Sequence, residues 1–165
     1  MRKGIYCSLG VVVLVAAWLA FRPELLFINK KVNETLPGAS AVSSDPANEP
    51  RLLASGQFHD GAHKTAGTAS ILEVGEGKRV LRLTSFETSN GPDVQVYLGK
   101  AADASDNDTV KSAGFTNLGP MKGNVGDQNY EIPAGLELSQ HHSVTIWCQR
   151  FGVNFGTAPL VGMSK

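Results

Sequence analysis

Cys148 is the residue of this chain best suited to redox chemistry. The reactive form of a cysteine in such chemistry is the thiolate. It stands in SVTIWCQRF, directly after Trp147 and two residues before Arg150. Cys148 has the strand parity of Val144 and Ile146, which predicts a side chain that points into an apolar core. Such burial disfavours the thiolate and favours an inert packing role, whereas a positive charge from Arg150 near the sulfur would restore reactivity. Both interpretations stay open.

The thiol of Cys148 has no evident disulfide partner. The second cysteine, Cys7, lies in the apolar N-terminal run and cannot approach a strand of the folded domain unless that domain sits at the membrane. In an oxidising compartment, an unpaired cysteine is prone to unwanted oxidation unless it is buried or has a redox function. Trp147 has the opposite strand parity, so its ring is expected on the other face of the sheet.

The histidines are weaker candidates. His59 and His63 stand four residues apart in FHDGAHKTAG, but Gly61 between them indicates a loop or strand rather than the helix on which such a pair binds metal. The sequence therefore predicts no metal site. The adjacent His141 and His142 precede SVTIWC, and we expect them in a solvated turn.

Composition and missing motifs exclude several classes of function. The chain has no GxSxG, HExxH, phosphate-loop or CxxC motif, so a conventional enzyme is disfavoured. Fifteen Lys and Arg residues balance fifteen Asp and Glu residues. Since there is no basic field to attract phosphate backbones, nucleic acid is not a predicted partner.

Residues 1–22 predict a signal anchor that forms one transmembrane helix. An uncharged run of 18 residues extends from Gly4 to Phe21, and as a helix it would span roughly 27 Å, close to the thickness of a bilayer's hydrocarbon core. A cleaved signal peptide is the alternative, but Trp18 and Arg22 fit poorly with a cleavage site. The membrane is therefore a predicted partner.

Three segments follow the anchor. Residues 23–37 mix apolar and charged side chains, which is consistent with a membrane-proximal segment on the lipid surface or with docking on the domain. Residues 38–50 read GASAVSSDPANEP and predict a flexible linker, because they bury too little apolar surface to offset their ordering entropy. The domain is predicted to occupy residues 51–165.

That domain is predicted to be all-β. Apolar residues alternate with polar ones in DVQVYLG and RVLRLTSF, and GEGK is a turn of hairpin length between GTASILEV and RVLRLTSF. About eight short strands punctuated by Gly, Pro, Asn and Asp predict a β-sandwich or barrel. No segment after residue 50 has the length and period of a helix.

Four stretches of the chain resemble the DM-thirteen domain, the electron-transfer module of Skeletor-type proteins. They are GQFHDGAHKTAG, LTSFETSNGPDVQVYLG, LGPMKGNVGDQNYEIP and SVTIWCQRFGVNFGTAPL, within about residues 52 to 162. The most specific marks are Trp147, Cys148, Phe151, Val153, Phe155 and Gly156; His63 with Gly67 is a weaker one. The leading FRPELLFINKKVNETLP resembles the membrane-proximal part of bacterial single-domain members. The resemblance implies an extracytoplasmic, all-β domain with a redox role, and some animal members join it to DOMON domains and membrane b-type cytochromes.

Three functions are compatible with these observations. The first is a membrane-tethered, extracytoplasmic redox domain in which Cys148 handles electrons with a redox partner protein or an unidentified cofactor. The second is a ligand-binding sandwich for haem or a sugar, by analogy with DOMON domains, in which His63 or Trp147 faces a pocket. The third is an interaction domain at the cell surface without chemistry of its own.

Overall fold

The structure, a computed structural model, describes residues 10–12, 15, 16, 18, 28–37, 49–75 and 77–162. Within these residues, nine strands form two antiparallel sheets. The strands are β1 (Arg51–Gln57), β2 (His59–Asp60), β3 (Ala66–Val74), β4 (Lys78–Glu87), β5 (Val94–Gly99), β6 (Phe115–Pro120), β7 (Gln128–Ile132), β8 (Ser143–Cys148) and β9 (Val153–Pro159). Sheet 1 has the order β1-β3-β4-β7, and sheet 2 has the order β2-β9-β8-β5-β6.

The two sheets pack face to face around one apolar core. Alternate residues of β3, β4 and β7 meet alternate residues of β5 and β8, as the period-two pattern predicts. The core includes Ile71, Leu81, Leu83, Tyr130, Val96, Leu98, Val144, Ile146 and Cys148. The sheets do not close on each other. Of the two predicted architectures, the sandwich is confirmed and the barrel is wrong.

The outer face of sheet 2 carries a second, smaller core. Helix α1 (Asn107–Ala113) covers it, and the buried side chain of Val110 packs with Tyr97 and Trp147. Asp106 caps the helix, since its carboxylate accepts a hydrogen bond of 2.7 Å from the backbone of Thr109. The prediction of no helix after residue 50 is wrong here. Seven residues are too few to show a helical period, and tertiary packing stabilises them.

Residues 28–37, which we call the strap, lie along the loop 121–127 and the adjoining part of sheet 1. The amide of Val32 donates to the carbonyl of Val125, and the amide of Glu34 donates to that of Asp127, both over 2.9 Å. The sequence left two alternatives for the membrane-proximal segment, a position on the lipid surface or docking on the domain, and residues 28–37 are docked on the domain. Residues 23–27 and 38–48 lie outside the described part of the chain.

The strap is held by a buried amide and by an ion pair at the surface. The side chain of Asn124 is 1% exposed; its oxygen accepts from the amide of Lys30 over 2.7 Å, and its nitrogen donates to Asn29 over 2.9 Å. The ammonium of Lys122 contacts the carboxylate of Glu34 at 2.8 Å. Burial alone would raise the pKa of Glu34, but hydrogen bonds from Lys122 and Asn129 lower it below its ordinary value.

The predicted anchor falls almost wholly on residues outside the described ones. Gly10, Val11, Val12, Val15, Ala16 and Trp18, which are described, are helical. Within the described parts of the chain, no helix is long and apolar enough to cross a membrane.

Candidate functional site

Cys148 lies in the core at the end of β8. Its side chain is fully buried in the cluster that contains Val144 and Ile146, so the predicted strand parity is confirmed. Cys148 is the last residue of β8, and it pairs with Val94, the first residue of β5, and with Val153, the first residue of β9. The thiol is therefore buried at the very end of three neighbouring strands.

We call this end of the sandwich the Cys148 end. It is formed by the loops 61–65, 88–93, 121–127 and 149–152. The amide of Gly152 donates to the carbonyl of Cys148 over 2.9 Å and closes the turn between β8 and β9. The amide of Gln149 donates to the carbonyl of Asp93 over 2.8 Å, which ties this turn to the loop before β5. Two backbone hydrogen bonds thus secure the turn that follows the thiol.

His63 lies at the same end. Its ring packs on that of Phe155 with centroids 3.9 Å apart, and Phe155 belongs to the core cluster that contains Cys148. The amide of Ala62 donates to the carbonyl of Asn154 over 2.8 Å, which fixes the loop along β9. Burial lowers the pKa of His63, so its imidazole is neutral at pH 7.

Trp147 faces the opposite way, as its parity predicts. Its ring lies 6.3 Å from that of Tyr97, which in turn stacks on Phe115 at 3.9 Å with an angle of 7° between the planes. The ammonium of Lys111 lies 5.9 Å from the centre of the Trp147 ring. Trp147 is 5% exposed, and its surroundings are those of a packing residue that holds α1 to sheet 2.

Arg150 lies in the turn after β8 and is exposed. The four candidate residues therefore do not form one cluster. Cys148 and His63 share an end and a core, Arg150 belongs to the turn above them, and Trp147 packs on the other face of the same sheet.

A family model described as electron transfer DM13 matches residues 57–160, which include Cys148 and the whole Cys148 end. The chain belongs to the DM13 electron-transfer family. The resemblance read from the sequence is thus confirmed. No curated protein and no solved structure matches the chain. The strap lies outside the matched residues.

Two glycines of the DM13 pattern are explained by packing. A Cβ on Gly156 would collide with the side chain of Thr65 and lie 2.7 Å from the carbonyl oxygen of His59. Gly67 has a φ of +111°, and a Cβ there would lie 2.7 Å from the Cα of Phe86. These glycines allow the segment before β3 to lie close to β9 and β4.

Two cavities in the described part of the chain bear on the haem-binding hypothesis. One of about 690 Å³ lies between the strap and sheet 1, and one of about 410 Å³ lies beside the loop 61–65. Neither lining contains His, Cys, Met or Tyr, the residue types that hold haem iron. His63 and Trp147, which the ligand-binding hypothesis placed at a pocket, line neither of them. The residues that line these two cavities therefore do not fit haem.

The other histidines make structural contacts. His59 Nε2 lies 2.8 Å from a carboxylate oxygen of Asp103, and this hydrogen bond raises the pKa of His59. The prediction of a solvated turn is wrong for His141, which is 3% exposed. Its ring nitrogens lie 2.9 Å from the carbonyl of Glu137 and 3.0 Å from the hydroxyl of Thr116.

Sequence reasoning missed the polar groups that hold the Cys148 end together. The hydroxyl of Thr65 is buried within 2.9 Å of the hydroxyl of Thr88 and 3.0 Å of the carbonyl of Phe155. The amide of Thr65 donates to the carboxylate of Asp60 over 2.8 Å. No motif or spacing marks these residues, because two of the partners of Thr65, namely Thr88 and Phe155, are distant from it in the chain.

Proposed function

We propose that this DM13 domain is a membrane-tethered, extracytoplasmic electron-transfer domain whose redox residue is Cys148. The observation that carries this proposal is the position of the thiol: it is buried, yet it lies at the last residue of β8, below a turn of four residues. The family's electron-transfer description supports the general role. The 18 uncharged residues from Gly4 to Phe21 support the tether.

The chemistry that suits this position is thiol–disulfide exchange with a partner protein. The thiolate of Cys148 attacks one sulfur of a partner disulfide, so a mixed disulfide forms and the partner's second sulfur leaves as a thiolate. A donor dithiol completes the transfer: one of its thiolates attacks the sulfur of Cys148 in the mixed disulfide and releases the partner's first sulfur as a thiolate. The donor's second thiolate then attacks the donor sulfur that is bound to Cys148, closes the donor's own disulfide and releases the Cys148 thiolate. Two electrons thus pass from the donor, which ends as a disulfide, to the partner, which ends as a dithiol, and Cys148 returns to its starting state.

Burial makes this exchange depend on local opening of the turn 149–152. A buried thiol reacts at a rate set by the fraction of molecules in which it is exposed, provided that closing is faster than reaction. Folded protein should therefore react with an aromatic disulfide more slowly than unfolded protein, yet faster than global unfolding allows. Gly152 offers a way to change the opening without touching the thiol.

The test compares two glycine substitutions in the full chain. Gly152 has a φ of +63°, and a Cβ there would meet only ordinary contacts of 3.8 Å or more. Gly152→Ala thus adds backbone strain of about 1–2 kcal/mol, which should raise the rate at Cys148 about 5- to 30-fold. Gly75→Ala is the matched control, since Gly75 has a φ of +47° with nothing within 4 Å and lies in the hairpin at the other end.

We expect Gly152→Ala to speed the reaction of Cys148 while Gly75→Ala, at equal loss of global stability, does not. Equal acceleration in both variants would mean that the thiol reacts only after global unfolding. Cys148 would then be a packing residue, and the redox role would have to lie elsewhere in the domain.

A second candidate function is binding of a small polar ligand such as a sugar. The cavity of about 690 Å³ favours it, because its size suits a small molecule and its lining offers amide and charged side chains, among them Asn33, Arg79 and Glu131. A rise in melting temperature with a panel of monosaccharides, lost in Arg79→Ala, would establish this function.

A further inference from the structure

The strap enters the domain at the Cys148 end. The carbonyl of Ile28, the first residue of the strap, accepts a hydrogen bond of 3.2 Å from the side chain of Asn90. Asn90 belongs to the loop 88–93, and Val94 directly after that loop pairs with Cys148. The chain that arrives from residues 1–22 is thus held beside the loop that adjoins the thiol.

From there the strap runs away from the Cys148 end. Glu34 and Thr35 bond to Asn129 in β7, and Thr35 and Pro37 then line the large cavity together with Lys78, the first residue of β4. Lys78 belongs to the hairpin at the opposite end of the sandwich. The strap therefore spans sheet 1 from one end to the other.

The predicted linker cannot be the tether in this arrangement. Residue 37 lies near Lys78, and Arg51, which begins β1, pairs with Glu73 beside the same hairpin. Both flanks of residues 38–50 are therefore at the end opposite Cys148. That segment connects the strap to β1, while the connection to residues 1–22 runs through residues 23–27.

We infer that the Cys148 end faces the headgroup surface of the bilayer that holds the anchor, an inference that rests on the proposed tether. Six residue steps from Arg22 to Ile28 reach at most about 20 Å, so the entry point of the strap stays close to the membrane. β8 adds roughly 17 Å between Cys148 and the opposite end. Because the strap is docked along the domain, the domain cannot rotate to bring its opposite end to the membrane.

The surface of this end suits a membrane interface. Phe151 and Ile28 are 56% and 55% exposed, and the basic residues Lys30, Lys64 and Arg150, in the strap and the loops of this end, are exposed as well. Aromatic and aliphatic side chains enter the headgroup region, and basic side chains are attracted to anionic lipids there. A partner disulfide would then reach Cys148 along the plane of the membrane.

The test measures the depth of two matched positions in vesicles of phosphatidylcholine and phosphatidylglycerol. Ala62 lies in the loop 61–65 at the Cys148 end, and Ala134 lies after β7 at the opposite end; both are exposed. Ala62→Cys and Ala134→Cys, each in a full chain with Cys7→Ser and Cys148→Ala, are spin-labelled. Nickel-chelating lipids then relax each label according to its distance from the headgroups.

We expect relaxation at Ala62→Cys to exceed that at Ala134→Cys several-fold. Equal relaxation, or stronger relaxation at Ala134→Cys, in a chain that floats with the vesicles would overturn the orientation and leave the tether intact. A chain that does not float with the vesicles would overturn the tether and the orientation together, whereas thiol exchange at Cys148 would still be judged by its own experiment.

Discussion

Gly123→Ala tests the docking of the strap without changing the strap itself. Gly123 is buried beneath it, and a Cβ there would collide with the carbonyl oxygen of Lys30 and lie 2.7 Å from a methyl group of Val32. Its backbone is compatible with alanine, since its φ is not in the left-handed region. The three atoms nearest to the added methyl group all belong to the strap.

The expected loss follows from the contacts around Lys30. To admit the methyl group, the strap must move by about 1 Å, because a real Cβ contact needs at least 3.4 Å. That movement breaks the hydrogen bonds from the amide of Lys30 to Asn124 and from the amide of Val125 to Lys30. At about 1 kcal/mol each, their loss should cost about 2 kcal/mol and lower the melting temperature by roughly 4–8 °C.

Urea denaturation and hydrogen exchange of the full chain measure this effect. The free energy of unfolding should fall by the stated amount, and the amides of Val32 and Glu34 should lose protection more than those of β8. Gly135→Ala is the matched control, because a Cβ on Gly135 meets nothing within 4 Å. Unchanged stability and unchanged protection of Val32 in Gly123→Ala would refute docking of the strap.

Three further outcomes are expected. Cys148→Ala should lower stability by on the order of 1 kcal/mol, and Cys148→Ser should cost more because it buries a hydroxyl; equal stability of both variants in urea would contradict apolar burial. The pKa of Glu34 in the folded protein is lowered from 4.5, so the ionised carboxylate stabilises the fold above that pH, and this stabilisation is lost as the pH falls through the folded pKa. Glu34→Gln should therefore remove this acid dependence from thermal melts. An acid dependence that persists in the variant would assign it to another group. Tyr130→Phe should lower the free energy of unfolding in urea by about 1–3 kcal/mol. The buried hydroxyl of Tyr130 donates to Gln128 over 2.6 Å and accepts from the amide of Lys122 over 3.1 Å, and both hydrogen bonds would be lost. Unchanged stability would mean that water replaces these bonds.

The sequence determined the strands and the face on which each side chain lies. A strand has a period of two residues, so the alternation in SVTIWC was sufficient to send Cys148 to the core and Trp147 to the outer face. The same pattern predicted β3, β4 and the hairpin between them. The local sequence pattern carries this information, because the face on which a strand residue lies depends only on its position relative to neighbouring residues.

Only the tertiary structure decided which residues that are distant in the sequence contact each other. The hydrogen bond of Ile28 to Asn90 joins residues 62 positions apart, and no periodic pattern encodes such a pair. Docking of the strap depends on the buried amide of Asn124 and on Gly123, whose partners are almost a hundred residues away. The sequence by itself therefore determined that Cys148 is buried, and long-range packing decided that it is buried at the end where the strap enters.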